Sequence, residues 1–352
     1  HQNTALGQNA LADNTTASNN TAVGHKALRL NTTGTQNVAV GAIALDANTT
    51  ANTNTAVGYN SLGANTTGGS NVAVGTNALD ANTVGFQNVA VGVDALGSNI
   101  EGDQNTAIGH AALVNNTSNK NTAIGHGTLA SNTTASNNTG IGYQALTANT
   151  TGSLNTAVGS LAMDASTTAS NCTAVGYSAL GSLTTGFRNI GVGQNALGAL
   201  TTGIYNVAVG TFANQNATTA SSNVAMGYHA LNQTTTGGSN VGVGYECLSN
   251  NTTASNNTAL GSQALTANTT GAGNVAVGTE ALDANTTANN NTAVGYLALT
   301  TNTTGTNNVA VGMQSQKFNT TGDFNVATGT NSLIFNTTGR FNTGLGHAAL
   351  QE

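Results

Sequence analysis

Residues 291–307 read Asn-Thr-Ala-Val-Gly-Tyr-Leu-Ala-Leu-Thr-Thr-Asn-Thr-Thr-Gly-Thr-Asn, and close variants of this unit recur along the whole chain. The unit can be followed by its first glycine, which occurs 21 times between Gly7 and Gly346. Nineteen of the 20 intervals between these glycines are 17 residues long, and the interval from Gly109 to Gly125 is 16. Such a short, fixed period is typical of solenoid proteins. We number the positions of one coil from 1, at the first Asn of the unit, to 17.

The residue types in the unit favour strands over helices. Asn, Thr, Gly and Val dominate it, and all four are poor helix formers. Position 2 is Thr, Val or Ile in all 21 copies, and position 4 is aliphatic in 20 of them, so two such columns lie on one side of a strand. We predict that these columns face the core, and that the Ala-Leu-x-x-Asn-Thr-Thr half forms a second strand. The predicted fold is all-β, a parallel β-solenoid (β-roll) of about 21 coils.

The repeat runs from end to end without a linker. We therefore predict that residues 1–352 form a single uninterrupted array, and we interpret it as a segment of a longer fibre because no polar cap is visible at either end. The shortened interval places its deletion within Asn116–Lys120, where the usual Asn-Thr-Thr-Gly stretch is altered. A deletion tolerated only there predicts a surface turn.

The composition excludes several classes of function. Lys and Arg number 6 and Asp and Glu 12, so charged residues make up 5% of the chain, against roughly 25% in an ordinary soluble domain. A net charge of -6 over 352 residues gives no electrostatic footprint for nucleic acid. The chain contains no run of ~18 apolar residues, so the sequence predicts no membrane-spanning helix. Catalysis needs clustered titratable groups, so we expect no enzyme, no catalytic residue and no nucleic-acid partner.

Two columns predict a structural ladder. Glycine is invariant at position 5, which favours a tight corner with positive φ, although close approach of a neighbouring backbone would also demand it. Position 1 is Asn in 20 copies, with Cys172 the exception, and stacked amides can bond along the axis and to turn backbone groups. The predicted ladder residues include Asn3, Asn20, Asn37, Asn54, Asn71, Asn88, Gly7, Gly24, Gly41, Gly58, Gly75 and Gly92.

Position 3 predicts an association surface. It is Ala in 17 copies and Gly in four, with no larger residue. If positions 2 and 4 face the core, position 3 faces outward, and an exposed strand position restricted to Ala and Gly suggests packing against another chain. The predicted self-association face includes Ala5, Ala22, Ala39, Ala56, Ala73, Ala90, Ala107, Gly140, Gly191 and Gly242.

Position 6 carries an aromatic ring in ten copies. A row of rings on a neutral, hydroxyl-rich surface can stack on sugars, and the alternative interpretation is that these rings cover the edge of the core. The candidate sugar contacts are Tyr59, Tyr143, Tyr177, Tyr245 and Tyr296.

The sequence offers no pattern for a cofactor or a metal ion. The histidines lie in separate coils, His-x-x-x-His and Cys-x-x-Cys are absent, and the aspartates occur singly. Cys172 and Cys247 are separated by about 4.4 coils, too far for a disulfide within one chain. We therefore predict no cofactor and no metal site.

The stretch Asn71–Leu79 (Asn-Val-Ala-Val-Gly-Thr-Asn-Ala-Leu) resembles the repeat of trimeric autotransporter adhesin heads. The stretch Asn291–Leu299 is similar to repeats of bacterial and phage tail-fibre-like proteins. The resemblance covers the whole chain and implies a left-handed parallel β-roll whose three chains associate through small-residue faces. The 17-residue period is longer than the adhesin coil, and no coiled-coil stalk or anchor is present.

These observations predict a structural protein: an extracellular or cell-surface fibre, or a virion fibre. Its expected partner is itself, as a homotrimer or a head-to-tail filament, with surface glycans as a further candidate. The alternatives are an ice-binding or a carbohydrate-binding solenoid surface. The adjacent threonines at positions 13 and 14 argue against ice binding, because an extended stretch would point them to opposite sides. A carbohydrate-processing enzyme would need clustered carboxylates, which the pattern lacks.

Overall fold

The fold was analysed in a computed structural model, which describes residues 2–351. These residues contain 21 strands of three residues each and no helix. Every coil contributes one strand, at positions 2–4, and within each of the two compact units of the chain neighbouring strands pair in parallel. The predicted fold, an all-β parallel β-solenoid with a 17-residue period, is confirmed.

The chain divides into two compact units, the first ending at Cys172. The first unit contains ten strands: β1 (Thr4–Leu6), β2 (Thr21–Val23), β3 (Val38–Val40), β4 (Thr55–Val57), β5 (Val72–Val74), β6 (Val89–Val91), β7 (Thr106–Ile108), β8 (Thr122–Ile124), β9 (Thr139–Ile141) and β10 (Thr156–Val158).

The second unit begins at Thr173. It contains eleven strands: β11 (Thr173–Val175), β12 (Ile190–Val192), β13 (Val207–Val209), β14 (Val224–Met226), β15 (Val241–Val243), β16 (Thr258–Leu260), β17 (Val275–Val277), β18 (Thr292–Val294), β19 (Val309–Val311), β20 (Val326–Thr328) and β21 (Thr343–Leu345). The interpretation of residues 1–352 as one uninterrupted array stays a prediction.

Within each unit the strands are aligned position on position. Ala39 pairs with Ala22 on one side and with Ala56 on the other. The backbone N–H of Val38 donates to the carbonyl oxygen of Asn54 at 2.8 Å, and equivalent bonds recur in the other coils. Each coil therefore passes its backbone hydrogen bonds to the next, which is why a three-residue strand suffices.

The shortened coil absorbs its deletion in a turn. Asn105 and Asn116 both donate Nδ2 to the carbonyl oxygen of Ser118 at 2.8 Å, the role that position 15 has in other coils. Strands β7 and β8 still pair Thr106 with Thr122. The prediction that the deletion lies in a surface turn is confirmed, and the strand register is unchanged.

The predicted second strand is absent, because the Ala-Leu half of each coil is a chain of turns. Its leucine, at position 9, has a left-handed backbone, as at Leu28 (φ 52°) and Leu45 (φ 51°). That conformation costs a non-glycine residue about 1–2 kcal/mol. The leucine side chain is fully buried, and burying a leucine contributes about 1.5–3 kcal/mol, so the turn is retained in coil after coil.

The core consists of small and amide side chains around this leucine. Positions 1, 3, 8, 9, 12 and 15 are buried, and they are occupied mainly by Asn, Ala, Ala, Leu, Asn and Gly or Ala respectively. The interior is too narrow for a larger residue at position 3. A Cβ atom added to Gly191, for example, would lie 3.1 Å from the carbonyl oxygen of Ala196 in the same coil and 3.2 Å from Cγ of Leu180 in the preceding coil.

The predicted outward orientation of position 3 is therefore wrong. The strand shows the alternation that the sequence predicts but in the opposite phase, so position 3 points inward and positions 2 and 4 point outward. Small residues are required there by the coil's own interior, and these side chains cannot form a self-association face. The residues concerned are Ala22, Ala39, Ala56, Ala73, Ala90, Ala107, Gly140, Gly191 and Gly242, all buried, whereas Ala5 in β1 is exposed.

Candidate functional site

The asparagine at position 1 fastens each coil to itself and to its neighbour. Nδ2 of Asn71 donates to the carbonyl oxygen of Gly85, in the same coil, at 2.9 Å. Its Oδ1 accepts the backbone N–H of Asn88, in the next coil, at 2.9 Å. Its own N–H donates to Oδ1 of Asn54 at 2.9 Å. The side chain is completely buried, and an amide buried without hydrogen-bond partners would be costly. Here Oδ1 and Nδ2 are both hydrogen-bonded.

The other predicted asparagines make the same pattern of bonds. Oδ1 of Asn3, Asn20 and Asn37 each accepts a backbone N–H from the next asparagine in the column at 2.9 Å. The bond along the axis is thus amide to backbone, whereas the sequence suggested amide to amide. Cys172 keeps one half of the pattern, because its N–H donates to Oδ1 of Asn155 at 3.0 Å.

The asparagine at position 12 forms a second ladder. Nδ2 of Asn48 donates to Oδ1 of Asn31 at 2.8 Å and to the carbonyl oxygen of Ala51 at 3.2 Å. Asn65 repeats the bond to Oδ1 of Asn48 at 3.0 Å. Here the amides do bond directly to one another, and each polar column stiffens the coil along the stacking direction.

The glycine at position 5 is required for two reasons at once. At Gly92 the backbone has φ 135°, a region essentially restricted to glycine. A Cβ atom added there would lie 2.5 Å from the carbonyl oxygen of Gly109 in the next coil. Both interpretations of the invariant glycine, the corner and the close approach, therefore hold together. The predicted residues Gly7, Gly24, Gly41, Gly58 and Gly75 have the same geometry.

Positions 2 and 4 form a surface that we call the outer strand face. Its side chains are partly exposed, as at Ile108 (39%), Met226 (42%) and Leu260 (49%). Position 2 is Thr in 11 coils and Val or Ile in ten, while position 4 is Val, Ile, Leu or Met in all coils except that of Thr328. No charged residue occurs at positions 1–5 of any coil, so the face is uncharged along both units.

The outer strand face differs between stretches of the chain. In β7–β10 position 2 is always threonine, beside Ile or Val at position 4. In β12–β15 both positions are aliphatic in every strand. Sequence reasoning assigned these columns to the core and so missed the surface. The signal that could have found it is the equal use of Thr and Val at position 2, since a threonine hydroxyl is costly in an apolar core.

The aromatic row at position 6 lies at the surface and stacks upon itself. The candidate sugar contacts are 49–56% exposed: Tyr59, Tyr143, Tyr177, Tyr245 and Tyr296. The ring of Tyr143 stacks on His126 with centroids 5.6 Å apart, and Tyr245 stacks on Tyr228 at 5.7 Å. One face of each of these two rings is partly covered by its neighbour, so a sugar would have mainly the other face.

The titratable side chains within residues 2–351 were compared for clustering and for shifted pKa values. No group of three His, Cys, Asp or Glu side chains there could hold a metal ion. Burial raises the pKa of the carboxyls of Asp80, Asp164 and Asp283, which occupy position 10 in separate coils. Cys172 and Cys247 are both buried, and burial raises the pKa of the Cys247 thiol to about 12.

Two comparisons with known proteins identify no family for this chain. A scan of the chain against protein-family models found no match, and a search of curated proteins found no significant match. None of residues 2–351 belongs to a helix long and apolar enough to cross a membrane. Function is therefore inferred from the two asparagine ladders and the outer strand face.

Proposed function

We propose that this protein is a structural component of an extracellular or cell-surface fibre or filament. The observation that carries the proposal is the buried asparagine ladder of position 1, which binds successive coils within each unit. The position 12 ladder reinforces it except in the five coils that carry Ser166, Leu183, Leu200, Ala217 and Thr234 there. Within each unit the position 1 asparagines repeat the same bonds from coil to coil, so the fold extends in one direction by repetition. Such an architecture suits a rod that spans distance and bears load.

The dimensions of each unit fit this role. Strands in a parallel sheet lie about 4.8 Å apart, so the ten strands of the first unit extend about 45 Å along the stacking direction. The eleven strands of the second unit extend about 50 Å. The hydrogen bonds that hold successive coils run along this direction, so pulling along it loads many of them in every coil. This arrangement favours a mechanical role.

Electron microscopy of the purified protein tests the proposal. We expect straight rods, with a layer spacing of about 4.8 Å in diffraction or averaged images, because coils repeat at the strand spacing. The mass per unit length reports the number of chains in each layer. Compact round particles, or chains without regular layers, would show that the protein is not a fibre component.

Ice binding is a second candidate, supported by one observation. In β7–β10 four threonines stand in one column of the outer strand face: Thr106, Thr122, Thr139 and Thr156. Their even spacing is the kind of regular array that can match an ice surface. The threonines at position 13 are less suited, since their hydroxyls donate to carbonyls of the next coil, as Thr66 does to Thr83 at 3.0 Å. Thermal hysteresis above the colligative value would favour this candidate over the fibre.

A further inference from the structure

We propose that a second copy of this chain docks on the outer strand face of the second unit, with the two faces packed against each other. This inference rests on the proposed structural function and names its partner and its surface. It replaces the alanine column with positions 2 and 4 of β11–β21 as the lateral contact.

The centre of the surface is an aliphatic patch on β12–β15. Ile190 and Met226 are its most exposed members, at 40% and 42%. The patch comprises eight side chains: Ile190, Val192, Val207, Val209, Val224, Met226, Val241 and Val243. A contiguous, exposed aliphatic patch is typical of a site of association. Its side chains are mostly β-branched and therefore rigid, so they lose little conformational freedom when covered.

The charge distribution favours a second copy as the occupant. A symmetric interface brings each residue close to its own counterpart, so a charged face would repel itself. Positions 1–6 of the second unit contain no Lys, Arg, Asp or Glu between Thr173 and His347. A face without charge offers nothing to attract a strongly acidic or basic partner, but it can pack against an identical face without electrostatic cost.

The area of the face fits a weak dimer. Eleven strands about 4.8 Å apart, with two side-chain columns spanning about 10 Å, present about 500 Å² in each copy. Two facing copies would bury about 1,000 Å², which is about the area that separates biological interfaces from lattice contacts and is typical of a weak dimer. The strands are paired in register, so the two columns run unbroken along the sheet, and two sheets pack face to face about 10 Å apart, as in a β-sandwich.

The test places two lysines on the patch. In the variant Ile190→Lys/Met226→Lys the substitutions lie in alternate coils, at exposed positions where the charge stays in water in the single chain. Light scattering after gel filtration is expected to show the wild type at a mass of two chains of 34.6 kDa or a higher multiple, and this variant at one. The dimer dissociation constant should rise at least tenfold, and an unchanged circular dichroism spectrum shows that the variant is folded.

The matched control is Thr202→Lys/Thr236→Lys. These exposed threonines belong to the same two coils as Ile190 and Met226 but lie at position 14, outside the outer strand face. The control should keep the wild-type mass. The proposal is overturned if the wild type is a monomer, if the patch variant keeps the dimer, or if the control loses it equally. Rods that contain one chain per layer in the microscope would refute the lateral dimer but not the proposed role in a fibre. Dimers that form no rods would refute the role in a fibre but not the dimer.

Discussion

Replacing Gly92 with alanine is expected to lower the free energy of unfolding by about 4 kcal/mol. Two penalties add at this residue. An alanine with φ near 135° is strained, and its methyl group would lie 2.5 Å from the carbonyl oxygen of Gly109. The carbonyl belongs to the backbone of the adjacent coil, so it can move only by breaking strand pairing. The same close contact recurs in the other coils. A shift of one coil along its neighbour therefore cannot relieve the clash.

The same coil supplies a matched control. Gly97 has no left-handed backbone, and a Cβ atom added there would come no closer than 3.4 Å to any atom. Gly97→Ala should therefore change stability by less than about 1 kcal/mol. Urea denaturation followed by circular dichroism measures both variants. Equal stability of the two would mean that the corner geometry at Gly92 is not required by the fold.

Replacing Asn240 with alanine is expected to cost about 3 kcal/mol, because the buried N–H of Asn257 loses its partner and the carbonyl oxygen of Ala254 keeps only the bond from Nδ2 of Asn251, at 3.1 Å. Nδ2 of Asn240 donates to the carbonyl oxygen of Ala254 at 2.8 Å, and its Oδ1 accepts the N–H of Asn257 at 3.0 Å. Neither group can reach water, since the asparagine column is completely buried around them. The truncation also leaves a small cavity, which adds to the loss.

Asn250→Ala is the comparison for this prediction. Asn250 lies in the same coil and is exposed, and its backbone N–H donates to Thr266 independently of the side chain. Its truncation should change the free energy of unfolding by less than about 0.5 kcal/mol. Hydrogen exchange gives a second readout: the amide of Asn257 should lose protection in Asn240→Ala and keep it in Asn250→Ala. Retained protection in both variants would rule out the ladder as a source of stability.

Much of the fold follows from the repeat itself. The period, the parallel stacking and the turn that absorbs the deletion near Asn116 are all readable from the spacing of one glycine column. The sequence does not show which face of the strand is buried, because alternation with a period of two defines two faces without distinguishing the inner from the outer one. Position 3 is small on account of the narrow core, and a small residue at a crowded interface would leave the same trace in the sequence.

The turn conformation was equally hidden. A leucine is a poor choice for a left-handed backbone, so Leu28 and its counterparts suggest a strand to any local rule. Packing of neighbouring coils overrides that preference. Asn214 shows that the leucine column is not strictly apolar. It occupies this column with φ 47° and is fully buried, and neither of its amide atoms has a hydrogen-bond partner. The column therefore tolerates a polar residue at a cost in stability that spacing alone does not reveal.

Within each unit, the alignment of a coil with the same positions of the next has a genetic consequence. Unequal recombination between two repeats in the gene would add or remove a whole number of coils, and the joined coils would still match donor to acceptor. The 16-residue interval shows that even an imperfect event can be accommodated when the lost codon falls in a turn. Length in such a protein can thus vary between lineages without any change in the way it folds.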